Sequence, residues 1–252
     1  MKSIAKAPIL TQFDAGLSDR AKNVSRRDLI LFARDLTNAL PMVAFLIFYL
    51  LWFWIVENVP RQHFYEIHTI LDDMIPFCEA FIIPYMLWFP FMLLMTVFMF
   101  FTDRRVYHRL SAMLVIGMVV FLTISTLFPN IQYLRPAVMP RDNIFTRQIL
   151  ALYQADTPTN ICPSIHVYNS ICVNIAVFKS NSKYAKKTWL RVSTTVLVAL
   201  IVLSTMFIKQ HSVLDVVGAF LMSTICCSLV YDHGFVMSDK AEHRRKPVKI
   251  FS

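Results

Sequence analysis

Charge is scarce in this sequence. Asp, Glu, Lys and Arg make up only 16% of its 252 residues, where a soluble domain carries about 25%. With 56% of residues hydrophobic, and these gathered in long blocks rather than amphipathic stripes, an ordinary soluble domain is excluded. The solvent that the apolar residues meet is lipid. Glycine is scarcer still, at four residues. Repeat-built transporters interrupt helices with Gly or Pro at corresponding positions of their halves, and Gly117 and Gly218 make no such pair. The five cysteines show no CxxC or zinc-type spacing, and four of them lie in or beside apolar blocks. That argues against a disulfide framework and against a metal cluster. No internal repeat or low-complexity segment is visible. No cleavable signal peptide is expected, because the first residues are polar and the first apolar block starts near Leu40.

What is present is a set of apolar blocks. A bilayer-spanning helix needs about 20 mostly apolar residues, and six candidates stand at 40–56, 77–101, 110–128, 164–178, 188–208 and 213–231. The fourth is short and carries Asn169, Ser170 and Asn174, so its neighbours must shield it, and its polar face suits the wall of a cavity. The net charge is +9, but the basic residues sit between the blocks rather than on one folded face. That arrangement reads as topology, and no nucleic-acid partner is expected. Counted by segment, 20 Lys and Arg fall in the two tails and the second and fourth loops. Only Arg61, Arg135, Arg141, Arg147 and Lys209 fall on the other side. The positive-inside rule then puts both termini in the cytoplasm. The expected fold is all-α: a polytopic membrane bundle of six transmembrane helices. Its expected divisions are a tail at 1–36, a membrane domain at 37–231 and a basic tail at 232–252. Within the first tail, 22–36 mixes arginines with apolar residues and suits either an interfacial helix or a plain basic tail. In the long outer loop 129–162, residues 143–153 have an amphipathic pattern.

The conspicuous polar residues cluster at the outer ends of the spans. The third span runs into Arg135-Pro136, the fourth starts with Pro163-Ser164-Ile165-His166, and Ser204 to Asp215 joins the fifth to the sixth. The topology count places all three at one membrane level. His211 and Asp215 are four apart at a helix start, hence on one face. A carboxylate there can fix the imidazole tautomer and leave the other nitrogen as a nucleophile. His166 could protonate a leaving oxygen. Two helix N-termini favour a bound phosphate, Arg135 could grip its oxygens in a bidentate manner, and Lys209 could add a point charge.

Pro163-Ser164-Ile165-His166, then Ser204, His211 and Asp215, resembles the type 2 phosphatidic acid phosphatase superfamily. The family pattern is Lys-x6-Arg-Pro, Pro-Ser-Gly-His and Ser-Arg-x5-His-x3-Asp. Arg135-Pro136 matches the end of the first motif, and the Ser204–His211–Asp215 spacing matches the third. The resemblance implies His211 as a nucleophile forming a phosphohistidine, Asp215 as its orienting partner, His166 as general acid and Arg135 as a phosphate ligand. It implies no metal or other cofactor. The chain departs from the pattern at Phe128, Ile165 and Thr205, where the motifs have lysine, glycine and arginine. Sphingolipid phosphotransferases of the same superfamily keep His, His and Asp while relaxing the cationic positions.

Plainer readings stand beside these. Metal ligation by His166, His211 and Asp215 would use a spacing that is no common zinc signature. Arg135 could be an interfacial anchor, Lys209 a snorkelling side chain, and Ser204 could back-bond within its helix while Ser164 supports the pocket. The acidic group Asp72, Asp73 and Glu79 suits a solvated helix start or headgroup or acceptor recognition. Tyr85 and Trp88 read as lipid-facing or packing residues. The expected function is a multi-pass membrane enzyme acting on a lipid phosphate or diphosphate at the extracytoplasmic face. The alternatives are a headgroup phosphotransferase, of the sphingomyelin or inositol phosphorylceramide synthase kind, and a non-catalytic lipid binder.

Overall fold

The computed structural model describes residues 26–232; the distal parts of both basic tails lie outside the described residues. The chain divides into two compact units, 1–48 and 49–252. Helix α1 (Arg26–Asn58) contains the apolar stretch Ala39–Asn58, and it absorbs residues 26–36 of the expected interfacial segment. In the first unit its apolar side chains Leu40, Val43, Leu46, Ile47 and Phe48 are exposed, as a lipid-facing surface requires.

The second unit holds the remaining elements. Strand β1 (Tyr65–Glu66) and the short helix α2 (Ile70–Met74) lead through a 3-10 turn, Glu79–Phe81, into α3 (Ile82–Thr102). Then follow α4 (Arg104–Leu127), strand β2 (Asn130–Ile131) and α5 (Ile144–Ala155). Helices α6 (Ile165–Lys179), α7 (Thr188–Phe207) and α8 (Val213–Cys227) complete the bundle. Among the described residues the fold is helical apart from one parallel pair, β1 with β2, in the register Tyr65 to Asn130.

Among the described residues, five helical stretches are long and apolar enough to cross a membrane, the last being α8 with its continuation to Asp232, and the molecule is a multi-pass membrane protein. The fourth expected span is the exception. It forms α6, of 15 residues, about 22 Å at 1.5 Å per residue. Ser164 caps its start by accepting from Val167 N, and the chain turns extended at Ser180. Helices α3, α4, α7 and α8 all pack against it, so α6 is the central post of the bundle. This enclosure is what makes its polar residues tolerable. Ser170 Oγ donates to His166 O at 2.7 Å, and Asn174 Oδ1 accepts from Thr194 and Thr195, both at 3.3 Å. The seat of α6 on α4 is a close one: the Tyr168 ring lies where a Cβ on Gly117 would stand, and its hydroxyl donates to Met113 O at 2.6 Å.

The two ends of the bundle differ. At one, Asp103 caps α4 through Val106 N and also accepts from Ser180 Oγ and Asn181 N, tying together the connections α3–α4 and α6–α7. At the other, the loop 129–162 is stitched down. Asn130 Oδ1 accepts from the Ile161 and Cys162 amides, and Ile131 bridges Thr159. Glu57, at the end of α1, accepts from Thr157, Thr159 and Asn160. Helix α5 forms where the amphipathic pattern stands in the sequence. Its Ile149 packs with Ile82, Tyr85 and Ile208, and so roofs this end.

Candidate active site

The connection from α7 to α8 sets the geometry. Lys209 adopts a left-handed backbone, φ 55°, a rare conformation for a residue with a Cβ. It turns the chain so that the Gln210 and His211 amides both donate to Thr205 O, at 2.9 and 3.0 Å. His211 therefore precedes α8 rather than standing in it, with Ser212 as N-cap. His211 and Asp215 still meet, for a reason other than a shared helix face. Asp215 is the third residue of α8, and its carboxylate folds back onto the N-cap, where Oδ2 accepts from Ser212 N at 2.8 Å. The same oxygen lies 3.3 Å from His211 Nδ1. The other oxygen, Oδ1, is buried with no hydrogen-bond partner. Beside this carboxylate, burial first and the Asp215 charge second push the Cys162 thiol up to about 12, which leaves it an inert neighbour.

From His211 the polar contacts run on in a row. His211 Nε2 is 3.4 Å from His166 Nδ1, and His166 Nε2 is 3.1 Å from the Tyr85 hydroxyl. Tyr85 is in turn 3.4 Å from Asp156 Oδ2. With Asp215 accepting from Nδ1–H of His211, the lone pair of His211 is on Nε2, so the hydrogen between the imidazoles belongs to His166. His166 also packs against the rings of Trp88 and Tyr85, at 4.5 and 4.9 Å between centroids. Both histidines are buried, 9% and 6% exposed, so bulk water has little access to either.

The remaining sequence candidates have other positions. Arg135 caps the C-terminal end of α5: Nη1 donates to Tyr153 O at 3.1 Å, and Nη2 to Asp156 O at 2.7 Å and Gln210 Oε1 at 2.6 Å. Its guanidinium lies over the Tyr153 ring, and its Nε is buried without a partner. The residue before His211 thus links Arg135 to the site, since Gln210 Nε2 also donates to Asp156 Oδ2 at 3.4 Å. Lys209 makes its hydrogen bonds to backbone carbonyls. Its Nζ donates to Asp72 O at 2.7 Å and Ile75 O at 2.6 Å, closing the end of α2, and it lines an open cavity of about 500 Å³ with Glu66, His68, Asp73 and Tyr133. Ser164 holds the start of α6, its amide donating to Asp215 O at 3.1 Å, so the two histidine-bearing segments are joined through backbone. Ser204 bonds back to Ile201 O at 2.6 Å and takes no part in the row.

Three residues of this site carry no site reading in the sequence, and a fourth, Asp72, has a role other than the headgroup recognition or solvated helix start read there. Tyr85 and Trp88 come from α3, three apart and therefore on one face. Asp156 is the C-cap of α5. Burial raises its carboxyl above the usual range, against the opposing pull of His211 and Arg135. Asp72 is a clamp: Oδ2 accepts from Ser212 Oγ at 2.6 Å and Oδ1 from Val213 N at 2.7 Å, at the first turn of α8. Burial opposes its charge, but the hydrogen bonds from Ser212, Val213 and Thr69 together outweigh it and hold its carboxyl below the usual range. Among the described residues, no three of His, Cys, Asp and Glu are grouped so as to hold a metal ion.

No curated protein and no solved structure matches the chain significantly. The family model described as the PAP2 superfamily matches residues 110–235, half of the chain, and takes in α4 to α8 with His166, His211, Asp215 and Asp156. Members of that superfamily are phosphatases or phosphotransferases, and this chain belongs to the PAP2 superfamily.

Proposed function

We propose that the protein removes the phosphoryl group from a lipid phosphate or diphosphate at the extracytoplasmic membrane face, through a phosphohistidine on His211 and without a metal. One observation carries the reading: His211 is held at Nδ1 by Asp215 and presents its Nε2 lone pair to a second buried imidazole, His166. Such a pair can split hydrolysis into two easier steps. The Nε2 lone pair attacks phosphorus, the P–O bond to the lipid alcohol breaks, and the alcohol leaves with a proton passed on by His166. Water then attacks the N–P bond, and its proton returns by the same imidazole. The distribution of charge supports this facing. The connections gathered by Asp103 carry Arg104, Arg105, Lys179 and Lys183, and these lie at the end of the bundle opposite the histidines.

A second reading is favoured by the burial of both histidines: transfer of the phosphoryl-bearing headgroup to another lipid or polyol. A dry pocket disfavours water as the acceptor, and Phe128 and Thr205 stand where the family's phosphatase motifs carry cations.

Phosphate release from a panel of lipid phosphates and diphosphates, with the purified protein in detergent and EDTA, tests the first reading. Release that survives EDTA and vanishes in His211→Ala is the expected result. If labelled phosphate is retained on the wild type but released only when a second lipid or polyol is supplied, transfer replaces hydrolysis. A folded wild type that neither releases nor retains label overturns both.

A further inference from the structure

We infer that Asp156 is the proton store of this site, exchanging a proton with the His166 imidazole through the hydroxyl of Tyr85. The inference rests on the phosphohistidine reading above and deepens it. His166 Nδ1–H is committed toward His211 Nε2, 3.4 Å away, so His166 Nε2 is the acceptor for Tyr85 O–H at 3.1 Å. Tyrosine has one hydrogen, which can go to Asp156 Oδ2 at 3.4 Å or to His166 Nε2 at 3.1 Å; with His166 taking it at the shorter contact, a protonated Asp156 supplies the hydrogen for the longer one. The row is complete with a protonated Asp156 and a neutral His166.

The surroundings favour that distribution. His166 is enclosed by the Trp88 and Tyr85 rings with no carboxylate in contact, and a buried charge without a partner is expensive. Asp156 lies at the protein's polar roof, with Arg135, His211 and Glu57 as its charged or titratable neighbours and the Gln210 amide on Oδ2. Burial raises its carboxyl toward the protonated form.

The transfer balances without charging His166. As the lipid P–O bond breaks, Nδ1–H goes to the leaving oxygen. Tyr85 passes its hydrogen to Nε2, and Asp156 O–H replaces it on Tyr85. The imidazole has changed tautomer, Asp156 is a carboxylate, and His211 carries the phosphoryl group. In the second half the attacking hydroxyl gives its proton to Nδ1. Nε2–H returns to Tyr85, Tyr85 to Asp156, and the electron pair of the N–P bond returns to His211 Nε2. Asp156 and Tyr85 touch neither phosphorus nor the leaving group; they are positioning residues that act through His166.

The test uses leaving groups that differ in their need for a proton. In the full-length protein, the pre-steady-state burst of alcohol from a long-chain alkyl phosphate is compared with the burst of nitrophenol from p-nitrophenyl phosphate. Asp156→Asn and Tyr85→Phe are each expected to slow the alkyl burst about 100-fold, the range of one acid–base step, and the aryl burst at least tenfold less. A loss that is equal on the two substrates in both variants overturns the relay, as does an alkyl burst unchanged in both. A folded wild type that gives neither a burst nor labelled His211 overturns the phosphohistidine reading instead, and the relay falls with it.

Discussion

Gly117→Ala is the smallest change that reaches the candidate site from a distance. Gly117 is on α4, and an added Cβ would stand 2.0 Å from Tyr168 Cε1 and 2.3 Å from Cζ. That is about 1.4 Å short of ordinary van der Waals contact. The ring cannot swing aside cheaply, because Tyr168 is fully buried and its hydroxyl is fastened to Met113 O. Overpacking costs about 1–3 kcal/mol, and giving up the hydroxyl's bond inside the bundle adds about 1–3 kcal/mol. If the helix yields instead of the ring, α6 moves and carries His166, two residues from Tyr168. A misplacement of about 1 Å is enough to cost about 100-fold in rate. Thermal melting in detergent and phosphoryl turnover, measured on the same preparation, read the two costs together. Gly117→Ala is expected to lower the melting temperature, with turnover falling more than tenfold in whatever fraction stays folded. Tyr168→Ala in the same chain should recover part of both losses, since the clash disappears with the ring. Wild-type melting and turnover for Gly117→Ala would refute the contact, and strictly additive losses in the double variant would refute the coupling.

Two aspartates should tilt the stability profile in opposite directions. Asp72 is held below its ordinary range, so its contribution is present above about pH 4 and is lost as the pH falls through its folded value. Asp72→Asn should flatten the acid limb of a melting-versus-pH curve and lower the neutral plateau by about 1–3 kcal/mol; an unchanged acid limb would count against the clamp. Asp156 is raised, so its contribution is present below about pH 4 and fades as the pH rises through its folded value. Asp156→Asn, neutral throughout, should therefore lose less stability than the wild type on going from acid to neutral pH, as differential scanning would show. Lys209→Met, which strips two carbonyls of a charged donor, should cost about 1.5–3 kcal/mol while leaving KM for a phosphate substrate within about twofold. A tenfold rise in KM at unchanged melting would return Lys209 to phosphate binding.

Much of the frame was legible because bilayers impose long apolar runs, and such runs are read without knowing their neighbours. The ends of α3 and α7 fall within a few residues of the apolar blocks. Helix α6 shows where that logic stops. Its length is bounded by the Ser164 cap and the Asp103–Ser180 contact, and it is excused from spanning on its own because four helices enclose it. At the site, motif spacing named His166, His211 and Asp215, yet the contact between the last two depends on a folded-back capping carboxylate rather than on helical periodicity. In the sequence, Arg135 reads as a phosphate ligand from its guanidinium and the Arg-Pro motif, and Lys209 from its charge. In the structure both donate to carbonyls at the ends of short helices, a demand that a sequence does not display. Asp156 and Tyr85 lie 71 residues apart, and no local pattern joins them.

The brevity of α6 has a consequence for how a substrate could arrive. A hydrocarbon layer is about 30 Å thick, and the central post is shorter than α3, α4 and α7 beside it. With Lys179 in its last turn at one interface, a helix of about 22 Å would leave the opposite tip, where His166 stands, several ångströms short of the far edge of that layer. Helix α5 closes the view from above. A phosphate would reach the imidazoles by dipping sideways out of its own leaflet with its acyl chains still immersed, so the membrane itself would act as the first selectivity filter, passing molecules that have tails and turning away those that do not.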